Sequence, residues 1–259
     1  MRHQPFTRVD GVGPPLVLIH GVGLDHTMWD LVVDRLAEIR TVVRYDISGH
    51  GRTPDQPGER SIDDFVDELL CVLQAQGLVR PEVAGISMGG MIALAASARR
   101  PDLFDKVALL NTVADRTAGQ VAGLRERLAA AESDGMQVVA EMAIDRWFEP
   151  DWHAEHPYRV AAVGERLCST DLVGYLKAYR LFIDGDPLMP KGAARISAPV
   201  LAMTGELDVG STPAMSTALA ESVQNGQARI LNNLHHLPPI EDPDVFATAL
   251  IDFLEREAQ

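Results

Sequence analysis

The chain has 259 residues, 46% of them hydrophobic and 23% charged, which is an ordinary globular composition. Its 37 acidic and 23 basic residues give a formal charge of −14, which repels nucleic-acid backbones and anionic lipid surfaces, so we expect neither as a partner. A chain of this length forms one large α/β domain or two small domains and can bury a core without disulfide bonds.

Short β-branched or leucine-rich segments alternate with longer amphipathic segments along most of the chain. This alternation is typical of an α/β fold, a mostly parallel sheet with helices on both faces. The predicted strands are Leu16–His20, Thr41–Asp46, Glu82–Gly85, Lys106–Leu110, Val200–Thr204 and Ala228–Leu231. The predicted helices around this sheet are Met28–Glu38, Ile62–Gln76, Met88–Arg99, Thr212–Ser222 and Pro243–Ala258.

One region, from about Asp115 to Met189, breaks the alternation. It contains no predicted strand, and apolar residues recur at helical spacing over Ala118–Ala131 and Met136–Trp147. We therefore predict that residues 115–190 form a helical cap inserted over one edge of the sheet. Residues 1–114 and 191–259 then form the core domain.

The segment from Gly85 to Gly89 reads Gly-Ile-Ser-Met-Gly and lies between a predicted strand and a predicted helix. A serine in this pattern occupies a tight, strained strand-to-helix turn, and the flanking glycines leave room for the crossing backbones. The turn exposes the hydroxyl at the carboxyl edge of the sheet, where open α/β sheets bind ligands. We predict Ser87 as a nucleophile.

The loop His20-Gly21-Val22-Gly23 follows the first predicted strand. Its two glycines allow the backbone to turn close to the nucleophile and leave amide groups free. We therefore predict that the backbone N–H groups of Val22 and Met88 bind an oxyanion, with an ordinary strand-to-loop turn as the alternative. We interpret His20 itself as a hydrogen-bonded structural histidine.

A serine nucleophile needs a base, and the base needs an acid that orients it. Asp208, just past the strand that begins at Val200, is the preferred acid, and Asp115 and Glu206 are the alternatives. The base is expected after the last strand, where His235 and His236 are adjacent, and spacing alone does not separate them.

Together these motifs resemble the α/β-hydrolase superfamily across nearly the whole chain. The matching motifs are His20-Gly21, the turn over residues 46–51, the turn around Ser87, Gly205-x-x-Asp208 and His-Leu-Pro-Pro-Ile-Glu-Asp-Pro over residues 236–243. The last resembles a Gly-His-x-x-x-x-Glu-x-Pro pattern and favours His236 as the base. His235 replaces the usual glycine of that pattern, and Ser48 replaces a common arginine of the earlier turn.

Within the superfamily, two stretches resemble 3-oxoadipate enol-lactonases. They are Arg146-Trp147-Phe148 and the segment from Gly174-Tyr175 to Asp184-Gly185-Asp186-Pro187-Leu188. This resemblance implies a cap over the serine that shapes the pocket. For an acidic substrate, Arg146 is our candidate cation and Trp147 an apolar wall, and a surface arginine beside a core tryptophan is the alternative.

The predicted function is therefore a serine hydrolase that cleaves a carboxylic ester or an (enol-)lactone of a small molecule through an acyl-enzyme. The alternatives are a carbon–carbon bond hydrolase or a perhydrolase-like enzyme on the same triad, a hydrolase-derived ligand receptor, and a scaffold that has lost catalysis. Nothing in the sequence calls for a metal or an organic cofactor.

Location and assembly are less constrained by the sequence. The polar N-terminus lacks the apolar stretch of a signal peptide, and no apolar run approaches the roughly 20 residues that span a bilayer, so we expect no membrane partner and a cytoplasmic protein. Cys71 and Cys168 are expected to be buried and unpaired. The oligomeric state stays open, with a homodimer as one candidate.

Overall fold

The computed structural model describes residues 4–185 and 189–256. Within these ranges, seven strands form one sheet in the order β1-β3-β2-β4-β5-β6-β7, in which β1 runs antiparallel to β3 and all other neighbours are parallel. The strands are β1 (Thr7–Asp10), β2 (Pro15–Ile19), β3 (Thr41–Tyr45), β4 (Glu82–Ile86), β5 (Val107–Leu110), β6 (Val200–Gly205) and β7 (Gly226–Leu231).

Helices fill the connections between the strands. Their bounds are α1 (Asp30–Ala37), α2 (Ile62–Ala75), α3 (Met88–Arg99), α4 (Ala118–Asp134), α5 (Met136–Trp147), α6 (Pro150–Glu155), α7 (Pro157–Ser169), α8 (Leu172–Asp184), α9 (Met189–Ala193), α10 (Pro213–Glu221), α11 (Pro238–Glu241) and α12 (Pro243–Leu254). Because β3 and β4 lie on opposite sides of β2, right-handed crossovers put helices on both faces of the sheet. The predicted fold class is therefore confirmed.

All six predicted strands are present, with ends that differ by at most two residues from the predicted ones. The sequence reading missed β1, a short antiparallel edge strand whose side chains are exposed or half-buried and which therefore lacks an apolar pattern. The first two residues of the first predicted helix, Met28–Glu38, belong to a 3-10 turn over His26–Trp29, and α1 begins at Asp30. The last helix ends at Leu254, and Ala258 lies outside the described residues.

The six helices α4 to α9 connect β5 to β6, and the described part of residues 115–190 contains no strand. In one of the close contacts between this segment and the rest of the chain, a Cβ on Gly174 in α8 would lie 2.6 Å from the Cα of Gly49. Only glycines allow two backbones to approach so closely. The division into a core domain and a cap stays a prediction, and residues 186–188 of the lactonase-like stretch lie outside the described residues.

The core lies around the central strands. Side chains of β2 to β6 are buried along nearly their whole length, as expected for parallel strands covered on both faces. The carboxyl ends of β2, β4, β5, β6 and β7 meet at one edge, so the loops that follow them lie close together. This edge carries the candidate site.

Neither cysteine is buried, so that expectation is wrong. Cys71 is half-buried, and Cys168 is exposed with its Sγ 3.3 Å from Oε1 of Gln137. Both lie on helices directly beside buried positions, and one step along a helix turns a side chain by about 100°, from the core toward solvent. Within the described ranges, no helix is long and apolar enough to cross a membrane.

Glu68 on α2 is expected to make the stability of the protein depend on pH. Its two carboxylate oxygens accept the backbone N–H of Ser48 at 3.0 and 3.2 Å, and burial raises the pKa of Glu68 from 4.5 to about 7. Between those two values the folded protein retains a proton that the unfolded chain has lost, so stability falls as the pH rises. We expect Glu68→Gln to raise the Tm by several degrees at pH ~8.5 and less at pH ~5.5.

Calorimetry at both pH values checks this expectation. The matched control is Glu59→Gln, because Glu59 is an exposed residue of the same type. An equal change in Tm at the two pH values for Glu68→Gln would contradict the buried-carboxyl explanation.

Candidate active site

Ser87 forms the turn between β4 and α3 by itself. Its backbone has φ 55° and ψ −117°, a left-handed conformation that costs a non-glycine residue about 1–3 kcal/mol. The turn is held because the N–H of Ser87 donates to the carbonyl of Leu110 at 2.8 Å and Oγ1 of Thr112 donates to the carbonyl of Ser87 at 2.7 Å. The strain is of the kind predicted for a nucleophile in this motif.

The glycines around Ser87 are required by close backbone approaches. A Cβ on Gly85 would collide with the carbonyl oxygen of Gly89, and a Cβ on Gly89 would collide with that of Ile19. β4 and α3 therefore cross more closely than any side chain permits. This spacing explains why the motif has glycine both two residues before and two residues after the serine.

The loop after β2 lies against Ser87, since a Cβ on Gly21 would come within 3.3 Å of the Cβ of Ser87. His20 holds this loop: its Nε2 accepts the N–H of Ile47 at 3.0 Å, so its proton is on Nδ1, which donates to the carbonyl of Gly21 at 2.8 Å. The carbonyl of Gly21 and the N–H of Val22 belong to one planar peptide group, so the hydrogen bond from His20 also fixes the direction of that N–H. His20 is therefore hydrogen-bonded as predicted, and burial lowers its pKa; its structural role stays an interpretation.

His236 faces Asp208, which lies in the loop after β6. Nδ1 of His236 is 2.7 Å from Oδ2 of Asp208, and Oδ1 of Asp208 accepts the N–H groups of Gly210 and Ser211 at 2.8 and 2.9 Å. Burial opposes the charge of Asp208, but the attraction of His236 and these hydrogen bonds lower the pKa of the carboxyl below its ordinary value. An ionised Asp208 accepts the proton of Nδ1, which leaves Nε2 of a neutral His236 free to accept another.

Asn111 is a site residue that sequence reasoning missed. It follows β5 directly, is buried and has φ 41°, and its Nδ2 donates to Oδ2 of Asp208 at 2.9 Å and to the carbonyl of His235 at 3.0 Å. It therefore ties the acid to the loop that carries the histidines. The available signal was a polar residue immediately after a buried strand at the same sheet edge.

His235 turns away from Asp208 toward two other carboxylates. Its Nε2 lies 3.0 Å from Oε1 of Glu149, and its Nδ1 lies 3.3 Å from Oε1 of Glu241. Glu241 also accepts the backbone N–H groups of His235 and Leu237 at 2.8 and 3.0 Å, so it holds the chain on both sides of His236. The two adjacent histidines therefore have different partners.

The two alternative acids, Glu206 and Asp115, lie away from His236 and are exposed. Oε2 of Glu206 accepts the N–H of Asn233 at 3.1 Å. Asp208 alone of the three lies within hydrogen-bonding distance of His236.

One cavity of about 330 Å³ joins most of the predicted site residues, namely Val22, Ser87, Arg146, Trp147, Asp208 and His236. The indole of Trp147 stacks on the imidazole of His236, with ring centres 5.3 Å apart and planes 25° apart. The side chain of Met88 is fully buried outside this lining, but its backbone N–H is the first of α3 and has no acceptor within the helix. The roles assigned to these residues stay predictions.

Asp25, His26 and Asp46 form a separate cluster with metal-ligand spacing among the described residues. Hydrogen bonds already explain this cluster. Oδ1 of Asp46 accepts from both the backbone N and Nδ1 of His26 at 2.7 Å, and Oδ1 of Asp25 accepts the N–H of Thr27 at 2.8 Å. The arrangement stabilises the turn after β3.

A protein-family model described as the alpha/beta hydrolase fold matches residues 14–243. The chain belongs to the α/β-hydrolase family. Over 247 residues this α/β hydrolase is 30% identical to the (E)-2-((N-methylformamido)methylene)succinate hydrolase of Acinetobacter baylyi, a match that covers 95% of this chain and 92% of that protein. It is 26% identical to 3-oxoadipate enol-lactonase 2 of the same organism, over 94% of this chain and 89% of the relative.

Among solved structures, the enol-lactonase from Burkholderia xenovorans LB400 matches this α/β hydrolase with a TM-score of 0.89 and 29% identity. The match covers 97% of this chain and 96% of the enol-lactonase. The resemblance to enol-lactonases is therefore confirmed, and this protein is a hydrolase.

Proposed function

We propose that this α/β hydrolase is a serine hydrolase that cleaves a carboxylic ester or a lactone of a small molecule through an acyl-enzyme. One observation carries the proposal: Ser87 shares a cavity with His236, whose Nδ1 is 2.7 Å from the buried carboxylate of Asp208. The strained backbone of Ser87 supports it, because strain of this kind persists where the surrounding structure holds a functional residue in place.

In the first half of the reaction, Oγ of Ser87 attacks the carbonyl carbon while Nε2 of His236 takes the hydroxyl proton. The carbonyl oxygen becomes an oxyanion, which accepts hydrogen bonds from the N–H groups of Val22 and Met88. Asp208 keeps the proton of His236 on Nδ1 and stabilises the imidazolium. His236 then gives its new proton to the leaving alcohol or enol oxygen as the carbon–oxygen bond breaks.

In the second half, water replaces the leaving group. His236 takes a proton from the water, whose oxygen attacks the acyl carbon, and the same two amides hold the second oxyanion. Collapse releases the acid and returns the proton to Ser87. In a lactone the acid and the alcohol belong to one molecule, so ring opening gives a single product.

Residues 115–190 act as a cap over this centre in our proposal, with Arg146 and Trp147 as substrate-binding residues. The support is that both side chains line the cavity of Ser87 and that Trp147 covers one face of His236. A guanidinium beside the ester suits a substrate with a carboxylate, and the indole excludes water from the imidazole.

Labelling with a fluorophosphonate tests the proposed function. We expect one equivalent of probe on the wild-type protein, attached to Ser87, because the probe phosphonylates serines that an adjacent base activates, with loss of fluoride. Mass spectrometry of the labelled peptide identifies the site. Ser87→Ala should take up no probe and should hydrolyse p-nitrophenyl butanoate at least about 10⁴-fold more slowly.

Thr112→Val is not a suitable control, since Thr112 holds the turn. Ser97→Ala is suitable, because Ser97 is a buried serine of α3 whose Oγ donates to the carbonyl of Ala93 at 2.7 Å. That variant should be labelled like the wild type. Absence of label on the wild type, or label on another residue, would overturn the proposal.

A further inference from the structure

Three arginines line the cavity of Ser87, namely Arg116, Arg127 and Arg146. The guanidinium of Arg116 lies over the ring of Phe182 and donates to the carbonyl of that residue at 2.8 Å. The other two arginines come from different helices. Arg127 lies on α4 and Arg146 on α5, both side chains are half-buried, and both also line a smaller adjoining cavity. Burial and the positive charge of Arg127 lower the pKa of Arg146. The two cations are therefore close enough to repel each other.

Neither guanidinium has a carboxylate partner in residues 4–185 and 189–256. Nε of Arg127 donates to Oη of Tyr179 at 3.1 Å, and Nη1 of Arg146 donates to the carbonyl of Met142 at 3.0 Å. Asp208 attracts Arg146 through space, but its two oxygens already accept from His236 and from backbone and amide N–H groups. Within the described residues, the other N–H groups of the two guanidiniums have no acceptor, so they can bind a ligand.

The two most deeply buried arginines of the core have a different environment. Arg44 pairs with Asp10 and Asp30 at 2.8 and 2.6 Å, and Arg40 pairs with Glu82 and Glu255, both at 2.6 Å. Each of these cations is balanced by two carboxylates. This is expected, because an unpaired charge away from water is strongly destabilising.

A chain with 37 acidic residues has no shortage of carboxylates. Among the residues that the structure describes, none of these carboxylates pairs with Arg127 or Arg146, which leaves two positive charges that an incoming ligand can neutralise. A single carboxylate would still leave one of the two cations uncompensated. The two hydrogen bonds, to Tyr179 and to the carbonyl of Met142, fix the two guanidiniums separately, so each presents its own donors.

We propose that Arg127 and Arg146 form an anion subsite for a substrate that carries two carboxylates in addition to the ester or lactone group attacked by Ser87. This inference rests on the proposed function and names its substrate class. A cavity of about 330 Å³ is at the small end for ligand sites, so the substrate is compact. Tyr179 is a positioning residue that orients Arg127.

Three p-nitrophenyl esters of similar size test the inference. They are the neutral butanoate, the mono-ester of succinate with one free carboxylate, and a mono-ester of propane-1,2,3-tricarboxylate with two. We expect kcat/KM of the wild type to rise about tenfold with each carboxylate, because each forms charge-assisted hydrogen bonds to a guanidinium. We expect Arg127→Met and Arg146→Met each to lower the ratio of kcat/KM for the dicarboxylate ester to kcat/KM for the neutral ester about 10- to 100-fold.

Arg125→Met is the matched control. Arg125 is an exposed residue of the same helix as Arg127, outside the cavity lining, so its loss changes the net charge of the protein equally. It should leave the preference among the three esters unchanged. A circular-dichroism spectrum and a Tm close to those of the wild type show that each variant is folded.

Two results would overturn the inference. One is a wild type that hydrolyses the dicarboxylate ester no faster than the monocarboxylate ester. The other is an Arg127→Met variant that loses activity equally on the neutral and dicarboxylate esters, which would make Arg127 structural.

A binding measurement separates this inference from the proposed function. Calorimetry on Ser87→Ala should detect glutarate binding that weakens at least about tenfold when Arg127→Met or Arg146→Met is added, and no binding of glutarate to Ser87→Ala would count against the subsite. This readout needs no turnover. A protein that binds glutarate but takes up no fluorophosphonate would contradict the serine-hydrolase proposal and leave the subsite standing.

Discussion

Replacing His236 with alanine is expected to lower kcat/KM for an ester by about four to six orders of magnitude. The reason is that Nδ1 of His236 lies 2.7 Å from Oδ2 of Asp208 and that, in the proposed mechanism, Nε2 of His236 accepts the proton of Ser87. Without that acceptor, the serine hydroxyl stays protonated and is a weak nucleophile. Steady-state hydrolysis of p-nitrophenyl butanoate and the rate of fluorophosphonate labelling measure the loss.

The neighbouring histidine is the matched control. His235→Ala removes a side chain that bridges Glu149 and Glu241 and keeps the backbone N–H that Glu241 accepts. We therefore expect a loss of less than about tenfold, the size of an effect on loop placement rather than on the chemical step. If His235→Ala were the inactive variant and His236→Ala the active one, the assignment of the base would be reversed.

Asp208→Asn is expected to lower kcat by about 10³- to 10⁴-fold with little change in KM. The geometry gives the reason. Oδ1 of Asp208 accepts two backbone N–H groups, from Gly210 and Ser211, so the oxygen of an asparagine amide takes that side. The amide nitrogen then faces Nδ1 of His236 and donates to it, which places the imidazole proton on Nε2, where it blocks general-base catalysis.

The same replacement also sets two donors against each other, because Nδ2 of Asn111 lies 2.9 Å from the Oδ2 that becomes an amide nitrogen. Asp115→Asn and Glu206→Gln are the controls, since both acids are exposed and neither contacts His236. They should retain activity within about twofold. An Asp208→Asn variant with more than a tenth of wild-type kcat would contradict the role proposed for Asp208.

The strand-to-helix turn at Ser87 was predictable because its determinants are local. A buried strand, a glycine-flanked serine and a helix follow one another within one stretch of chain, and the close approach of Gly85 to Gly89 needs no information from elsewhere. The order of the acid and the histidines after Ser87 was equally readable. In a parallel sheet, residues that follow successive strands meet at one edge whatever their separation in sequence.

The choice between His235 and His236 was left open by spacing and depended on a motif resemblance. Two adjacent residues in a loop point in different directions, and the direction of each depends on partners far away in sequence. Here Glu241 accepts hydrogen bonds from the backbone on both sides of His236. Glu149, which lies between α5 and α6, contacts the imidazole of His235. These contacts exist only in the folded chain.

Asn111, Arg127 and β1 were missed for related reasons. Asn111 acquires its place through Asp208, a residue almost a hundred positions later, and β1 is recognisable only by its pairing with β3. Helical periodicity shows that Arg127 lies on a helix but not which face of α4 meets the sheet edge.

The sequence alone therefore determined the fold class, the strand-to-helix turn at Ser87 and the edge of the sheet where the partners of Ser87 had to lie. The tertiary structure decided which histidine meets Asp208, which amide supports that carboxylate and how many cations face the cavity. The physical reason is the distance along the chain between the residues that interact. Backbone turns and periodic burial are set by neighbours along the chain, whereas side-chain pairing and charge balance are set by neighbours in space.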